Sequence, residues 1–226
     1  MQWVDLLLIT DRQGPRILVL EEAAGWSLPC PSPREDHFWQ SVGPINRAAA
    51  RLGYAVTTLR CLSIIHDVQA DQLHCYYALE LRDDSPSLMP GRHWLAADDL
   101  PQAPLVSAEQ RMMITAWLAG VPTQVPWYTP GYASAVETWA TATLLALGRN
   151  VSGPIEQVRS WERGALWKLS LNAGAVYIKA VPAVFHHEPA LSAQLAAWLP
   201  GHTAPVLAYE QQQRLFVAQI CFKGCQ

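Results

Sequence analysis

Between Gly120 and Gly131 the chain carries three prolines and two glycines, with neither helical nor strand periodicity. Proline removes a backbone donor and glycine enlarges the conformational space of the unfolded chain, so no long regular element runs through such a stretch. It divides the 226 residues into two parts, each large enough to bury a core in a chain that is 50% apolar. The expected organisation is a first domain over 1–120, a linker over 121–133 and a second domain over 134–226. Trp127, Tyr128 and Tyr132 predict that the linker packs on a surface.

The first part opens with two apolar, strand-forming runs, Val4 to Thr10 and Arg16 to Leu20, separated by a turn at Asp11 to Gly14, which predicts a hairpin. Three prolines at alternate positions, Pro29, Pro31 and Pro33, mark a loop up to Arg34. Val42, Ile45, Ala49 and Leu52 recur at helical spacing, predicting a helix from about Phe38 to Leu52 that Gly53 caps and whose first turns contain Pro44. Strands over Thr57 to His66, Leu73 to Leu81 and His93 to Leu95 follow, then a helix over Ala108 to Leu118. The fold class is mixed α/β (α+β).

In the second part Ser134 and Glu137 have the spacing of a capping box, predicting a helix that runs to Gly148. Strands are expected over Ile155 to Arg159, Ala165 to Leu171, Ala175 to Val181, Val206 to Tyr209 and Leu215 to Gln219, with a helix over His187 to Leu199. Ile220 to Gln226 match no element.

Sixteen basic and nineteen acidic residues, in no long run of either sign, argue against nucleic acid or an anionic membrane as partner. The opening apolar run is interrupted by Asp5 and followed by Asp11 and Arg12, too short and too charged for a signal peptide or a membrane span, so a cytoplasmic protein is expected. Five cysteines without a Cys-x-x-Cys pair read as buried thiols rather than a disulfide framework or zinc site.

The Trp26-Ser27-Leu28-Pro29 segment, the loop after it, and a helix closed by Gly53 and followed by a strand resemble the Nudix fold, over roughly residues 1–120. In that family the loop and helix carry an Arg-Glu and a Glu-Glu pair, because Mg²⁺ on a diphosphate needs several anionic oxygens on one helical face. Aligned on Gly53, the first pair falls on Asn46 and Arg47 and the second on Ala50 and Arg51, while Phe38 takes the place of an upstream glutamate. The resemblance therefore implies a Nudix-like domain without its carboxylates, with no Mg²⁺ and no hydrolysis expected. Glu35, Asp36 and His37, or His66 with Asp67, are the residues from which an atypical metal site would have to be built; His74 and Cys75, adjacent on a strand, point to opposite faces.

Ala175-Val-Tyr-Ile-Lys179-Ala, followed by Glu188 in Phe185-His-His-Glu188, resembles the N-terminal lobe of the aminoglycoside phosphotransferase and choline kinase group, over about Thr129 to Gln219. The resemblance implies a five-stranded antiparallel sheet with a helix. It also implies that Lys179 faces the phosphates of ATP, that Glu188 holds Lys179 in place, and that backbone amides at Arg163 and Gly164 lie over the phosphates. Pro189 restricts the conformation of Glu188. The family's catalytic base and Mg²⁺ ligands would fall beyond position 226, so weak ATP binding, no Mg²⁺ and no catalytic residue are expected of this chain, which reads as truncated. An uncovered apolar face predicts self-association.

Three functions follow as expectations. The chain is part of a Nudix-like/phosphotransferase fusion whose full-length relative moves the γ-phosphate of ATP to a small-molecule hydroxyl; or it is a non-catalytic nucleotide- or protein-binding module; or it is a Nudix-type hydrolase with an atypical metal site.

Overall fold

A computed structural model describes residues 2–12, 14–82, 89–120, 123–212 and 214–219. The chain forms two compact units, Met1–Gln124 and Val125–Gln226. The predicted irregular tail 220–226 lies outside the described residues.

The first unit is a mixed sheet of β1 (Gln2–Thr10), β2 (Arg16–Glu22), β3 (Gly25–Ser27), β4 (Val56–Asp67), β5 (Gln72–Leu81) and β6 (Arg92–Ala96), in the order β3-β2-β1-β5-β4 with β6 beside β2. The predicted hairpin forms but is short, with β1 antiparallel to β2 at Thr10 and Ile17 and Asp11 N donating to Arg16 O at 3.0 Å; the full-length partner of β1 is β5, in parallel from Gln2 and Gln72 to Thr10 and Glu80. The run Leu6-Leu7-Leu8-Ile9 explains this, because a strand apolar at every position must be covered on both faces, as parallel strands are. Leu7, Ile9, Cys75, Tyr77 and Leu79 pack toward α1 (Gly43–Arg51), whose Ile45 and Ala49 share their core. Leu6, Leu8 and Tyr76 pack on the other side with Ile114 of α2 (Ala108–Leu118).

Helix α1 starts five residues later than its periodicity suggests. Pro44 sits in its first turn and disfavours helical geometry just upstream, and residues 38–41 form a turn in which Ser41 N donates to Phe38 O at 2.8 Å. Strand β3 carries no sequence signal of its own. It is held by Trp26 N donating to Pro104 O at 2.8 Å and Val106 N donating to Trp26 O at 3.0 Å, and a Cβ at Gly25 would lie 2.2 Å from Pro104 O.

The second unit is an antiparallel sheet in the order β10-β11-β9-β8-β7, from β7 (Glu156–Trp161), β8 (Gly164–Leu171), β9 (Gly174–Ala180), β10 (Val206–Glu210) and β11 (Leu215–Ala218). Its α3 (Tyr132–Ala146) buries Val136, Ala140 and Leu144 with Trp167, Val176 and Ile178. The capping box is not formed. The N-cap is Gly131 in the left-handed conformation, and Ser134 lies inside the helix, where its carbonyl accepts from Thr138 Oγ1. A 3-10 turn at Pro126–Tyr128 places Trp127 at 3% exposure in this core, its Nε1 donating to Trp161 O at 2.8 Å. The latter half of the segment read as a linker therefore belongs to the second unit's core. Helix α4 (Glu188–Trp198) follows, with only Pro189 fully buried.

Candidate functional sites

In the first unit the loop before α1 inverts the charge pattern of a metal site. Glu35 accepts from Arg47 at 2.6 Å and from Arg51 at 2.9 Å, so the two arginines that the sequence resemblance aligned with carboxylate positions are bound by a carboxylate from the loop. Hydrogen bonds from both guanidiniums hold the Glu35 carboxyl down to about 2. A carboxylate committed to two arginines is not free to bind a cation, and Arg47 and Arg51 would repel one. The residues present do not fit Mg²⁺.

The other candidate ligands do not converge either. Asp36 is exposed, with Oδ1 3.7 Å from Arg34. The His37 ring points inward, Nδ1 against the Glu35 carbonyl at 2.7 Å, which fixes the hydrogen on Nδ1, and Nε2 3.3 Å from Tyr77 Oη and 3.8 Å from Asp5. Asp67 accepts from the amides of Gln69 and Ala70, while His66 faces Asp71. His74 bonds to Glu109 of α2 at 3.1 Å, and Cys75 packs in the α1-side core. Among the described residues no three His, Cys, Asp or Glu side chains lie together as a metal site.

Sequence reasoning missed Asp5. It is 4% exposed on β1, burial raises its carboxyl above the ordinary value against the opposing pull of His37 and Arg34, and Oδ1 has no hydrogen-bond partner among the described residues. The signal was present, as Asp5 is the one charged residue inside an apolar strand. Beside this group a cavity of about 590 Å³ opens between Trp3, Asp36, His37, Phe38, Trp39, Ser41 and Pro44.

In the second unit the residues proposed to face ATP do converge. Alternation along β9 sends Val176, Ile178 and Ala180 into the α3-side core and puts Lys179 on the opposite face, 6.0 Å from the Phe216 ring centre. Its Nζ donates to Glu188 Oε1. Glu188 is the first residue of α4, and Pro189, in the first turn where its missing donor costs nothing, leaves this pairing intact. Gly164 borders the same place: a Cβ there would lie 3.9 Å from Lys179 Cε and 3.1 Å from Ala180 O. Arg163 is turned onto the Trp161 ring, 5.6 Å from its centre, and Glu162 and Arg163 make a two-residue turn between Trp161 and Gly164.

No family model matches the sequence, and no curated protein matches it. The structure is similar to a provisionally assigned oxidoreductase from Sinorhizobium meliloti 1021 (14% identity, TM-score 0.42), over 54% of this chain and 40% of that one. It is also similar to the E. coli ORF135 protein (18%, TM-score 0.39, over 55% and 96%) and to the E. coli dihydroneopterin triphosphate pyrophosphohydrolase (15%, TM-score 0.36, over 53% and 96%). Among the described residues no helix is long and apolar enough to cross a membrane.

Proposed function

We propose that the second unit is the nucleotide-gripping lobe of an ATP-dependent small-molecule phosphotransferase of the aminoglycoside phosphotransferase and choline kinase type. The observation that carries this reading is the Lys179–Glu188 ion pair, joining the central strand of a five-stranded antiparallel sheet to the start of a helix. A lysine so held offers a fixed positive charge to the α- and β-phosphates, and Gly164 leaves room for backbone approach. Transfer of the γ-phosphate to a hydroxyl further requires a base and Mg²⁺ ligands, for which the resemblance provides no matching positions in this sequence. One partly exposed cation is worth little alone, so binding by this chain should be millimolar.

The test is a titration with ATP and Mg²⁺ followed by backbone amide resonances. Shifts confined to β9, the start of α4 and the turn before Gly164, lost in Lys179→Ala, support the proposal. No change in those amides up to about 10 mM ATP, far above the expected millimolar range, removes it.

For the first unit a second reading is favoured by the Glu35–Arg47–Arg51 cluster: a Nudix-like module that binds without hydrolysing. Turnover of ADP-ribose that is lost on chelation and survives repurification would contradict it.

A further inference from the structure

We propose that the cavity walled by Trp3, Phe38 and Trp39 in the first unit is a binding site for a small organic cation of the quaternary or methylated ammonium class. The inference is independent of both readings above. Phe38 is 78% exposed at the edge of the cavity, and packing gives no reason for a large apolar ring to stand there. Aromatic faces carry negative potential and attract cations that are too weakly hydrated to be held by water. This corner already does so once, because the Arg34 guanidinium lies 5.4 Å from the Trp3 ring centre.

The charge balance points the same way. Asp36 is the acidic side chain that lines the cavity; it is exposed and 3.7 Å from the Arg34 guanidinium, which is itself 3.0 Å from buried Asp5, and neither Arg34 nor Asp5 lines the cavity. His37 also lines the cavity, with Nδ1 donating to the Glu35 carbonyl at 2.7 Å and Nε2 turned toward buried Asp5 at 3.8 Å. Glu35, Arg47 and Arg51 form a separate group that does not line the cavity. The opposing influence is the N-terminus of α1, which borders the cavity at Ser41 and Pro44 and has neither a side-chain cap nor an acidic residue in its first turn. A helix end amounts to about half a positive charge, and Pro44 deletes one of its donors, so the full charge of Asp36 outweighs it.

The experiment is a titration of the whole chain with choline, with 3,3-dimethylbutan-1-ol, which has the same shape and no charge, and with 3,3-dimethylbutanoate, which reverses the charge. Binding is followed by the indole N–H resonances of Trp3 and Trp39. The proposal expects saturable shifts with choline, and affinity at least about tenfold lower for the alcohol. Asp36→Asn and Phe38→Ala, both at exposed positions that leave the core untouched, should each weaken choline by about three- to tenfold, whereas Lys179→Ala in the other unit should not. Equal affinity for the alcohol, a preference for the carboxylate, a choline response that survives both first-unit substitutions, or no choline response at all would overturn the proposal.

Discussion

Lys179 and Glu188 are nine residues apart in sequence and joined by an ion pair that leads from the central strand of the second unit's sheet to the first residue of a helix. Both side chains remain about one-third exposed, at 37% and 29%. Solvent screens such a pair, so its worth to folding is at most about 1 kcal/mol. Lys179→Ala and Glu188→Gln should each lower stability by no more than about that amount, and a double-mutant cycle should give a coupling of about 0.2–1 kcal/mol in urea denaturation. A larger coupling would mean a structural pair rather than one kept for a ligand.

The Glu35 cluster makes a pH prediction whose sign is set by the lowered carboxyl. A group whose folded value is about 2 and whose ordinary value is 4.5 contributes stability that is fully present above the ordinary value and lost as pH falls through the folded one. The wild type should therefore lose stability between about pH 4.5 and 2, and Glu35→Gln should show a shallower decline over that window. Carbon-detected NMR titration of the Glu35 carboxyl checks the premise directly.

Thiol reactivity separates the three cysteines among the described residues. Burial pushes the Cys61 and Cys75 thiols up to about 12, so almost no thiolate is present near neutral pH, and Cys75 is fully enclosed. Cys30 is exposed, although burial of its sulfur and the nearby Asp5 and Glu22 charges also raise its thiol. Iodoacetamide on the native chain should modify Cys30 slowly and Cys61 and Cys75 only after unfolding, as read by peptide mass mapping.

Gly25 and Gly174 both have positive φ but differ in what a side chain would meet. At Gly25 a Cβ would collide with Pro104 O at 2.2 Å, within the backbone bonds that hold β3; at Gly174, φ +91°, nothing lies within 4 Å. Gly174→Ala should cost about 1–2 kcal/mol for the backbone conformation alone, and Gly25→Ala about 2–4 kcal/mol because backbone must also move. Thermal denaturation of the two variants should rank them in that order.

What was legible in the sequence tracked local physics. The apolar runs of β1, β5, β8 and β9 and the periodicity of α2 predicted their elements to within a residue or two, because each pattern is written in the residues that form it. Partner choice was not written there: β1 takes β5 in parallel although β2 follows it in sequence. β3 is a three-residue strand held between β2, which it pairs from Leu20 and Ser27 to Glu22 and Gly25, and residues 104–106, which come back to it from far along the chain. The Lys179–Glu188 pair was readable only through the resemblance to the phosphotransferase small lobe, because a strand lysine followed by a helix glutamate is not specific by its spacing. The engagement of Glu35 by Arg47 and Arg51 needs a loop path that three prolines conceal.

The boundary between the units gives the sharpest test. Trp127 is 3% exposed in a core that includes Val136, Trp167 and Ile178, and its indole N–H satisfies the carbonyl of Trp161. Val125, Tyr128 and Tyr132 pack against the same core. Removing a buried tryptophan leaves a cavity and deletes its hydrogen bond to Trp161 O, a loss of about 3–5 kcal/mol, which is a large fraction of the stability of a domain this size. A fragment beginning at Val125 should therefore fold cooperatively, whereas one beginning at Ser134, which respects the proline-rich segment as a linker, should not. Trp127→Ala in the whole chain should unfold the second unit first while the first unit's indole resonances stay native. Limited proteolysis should cut ahead of Val125; initial cleavage between Pro126 and Tyr132 would show that Trp127 is not held in the core as described.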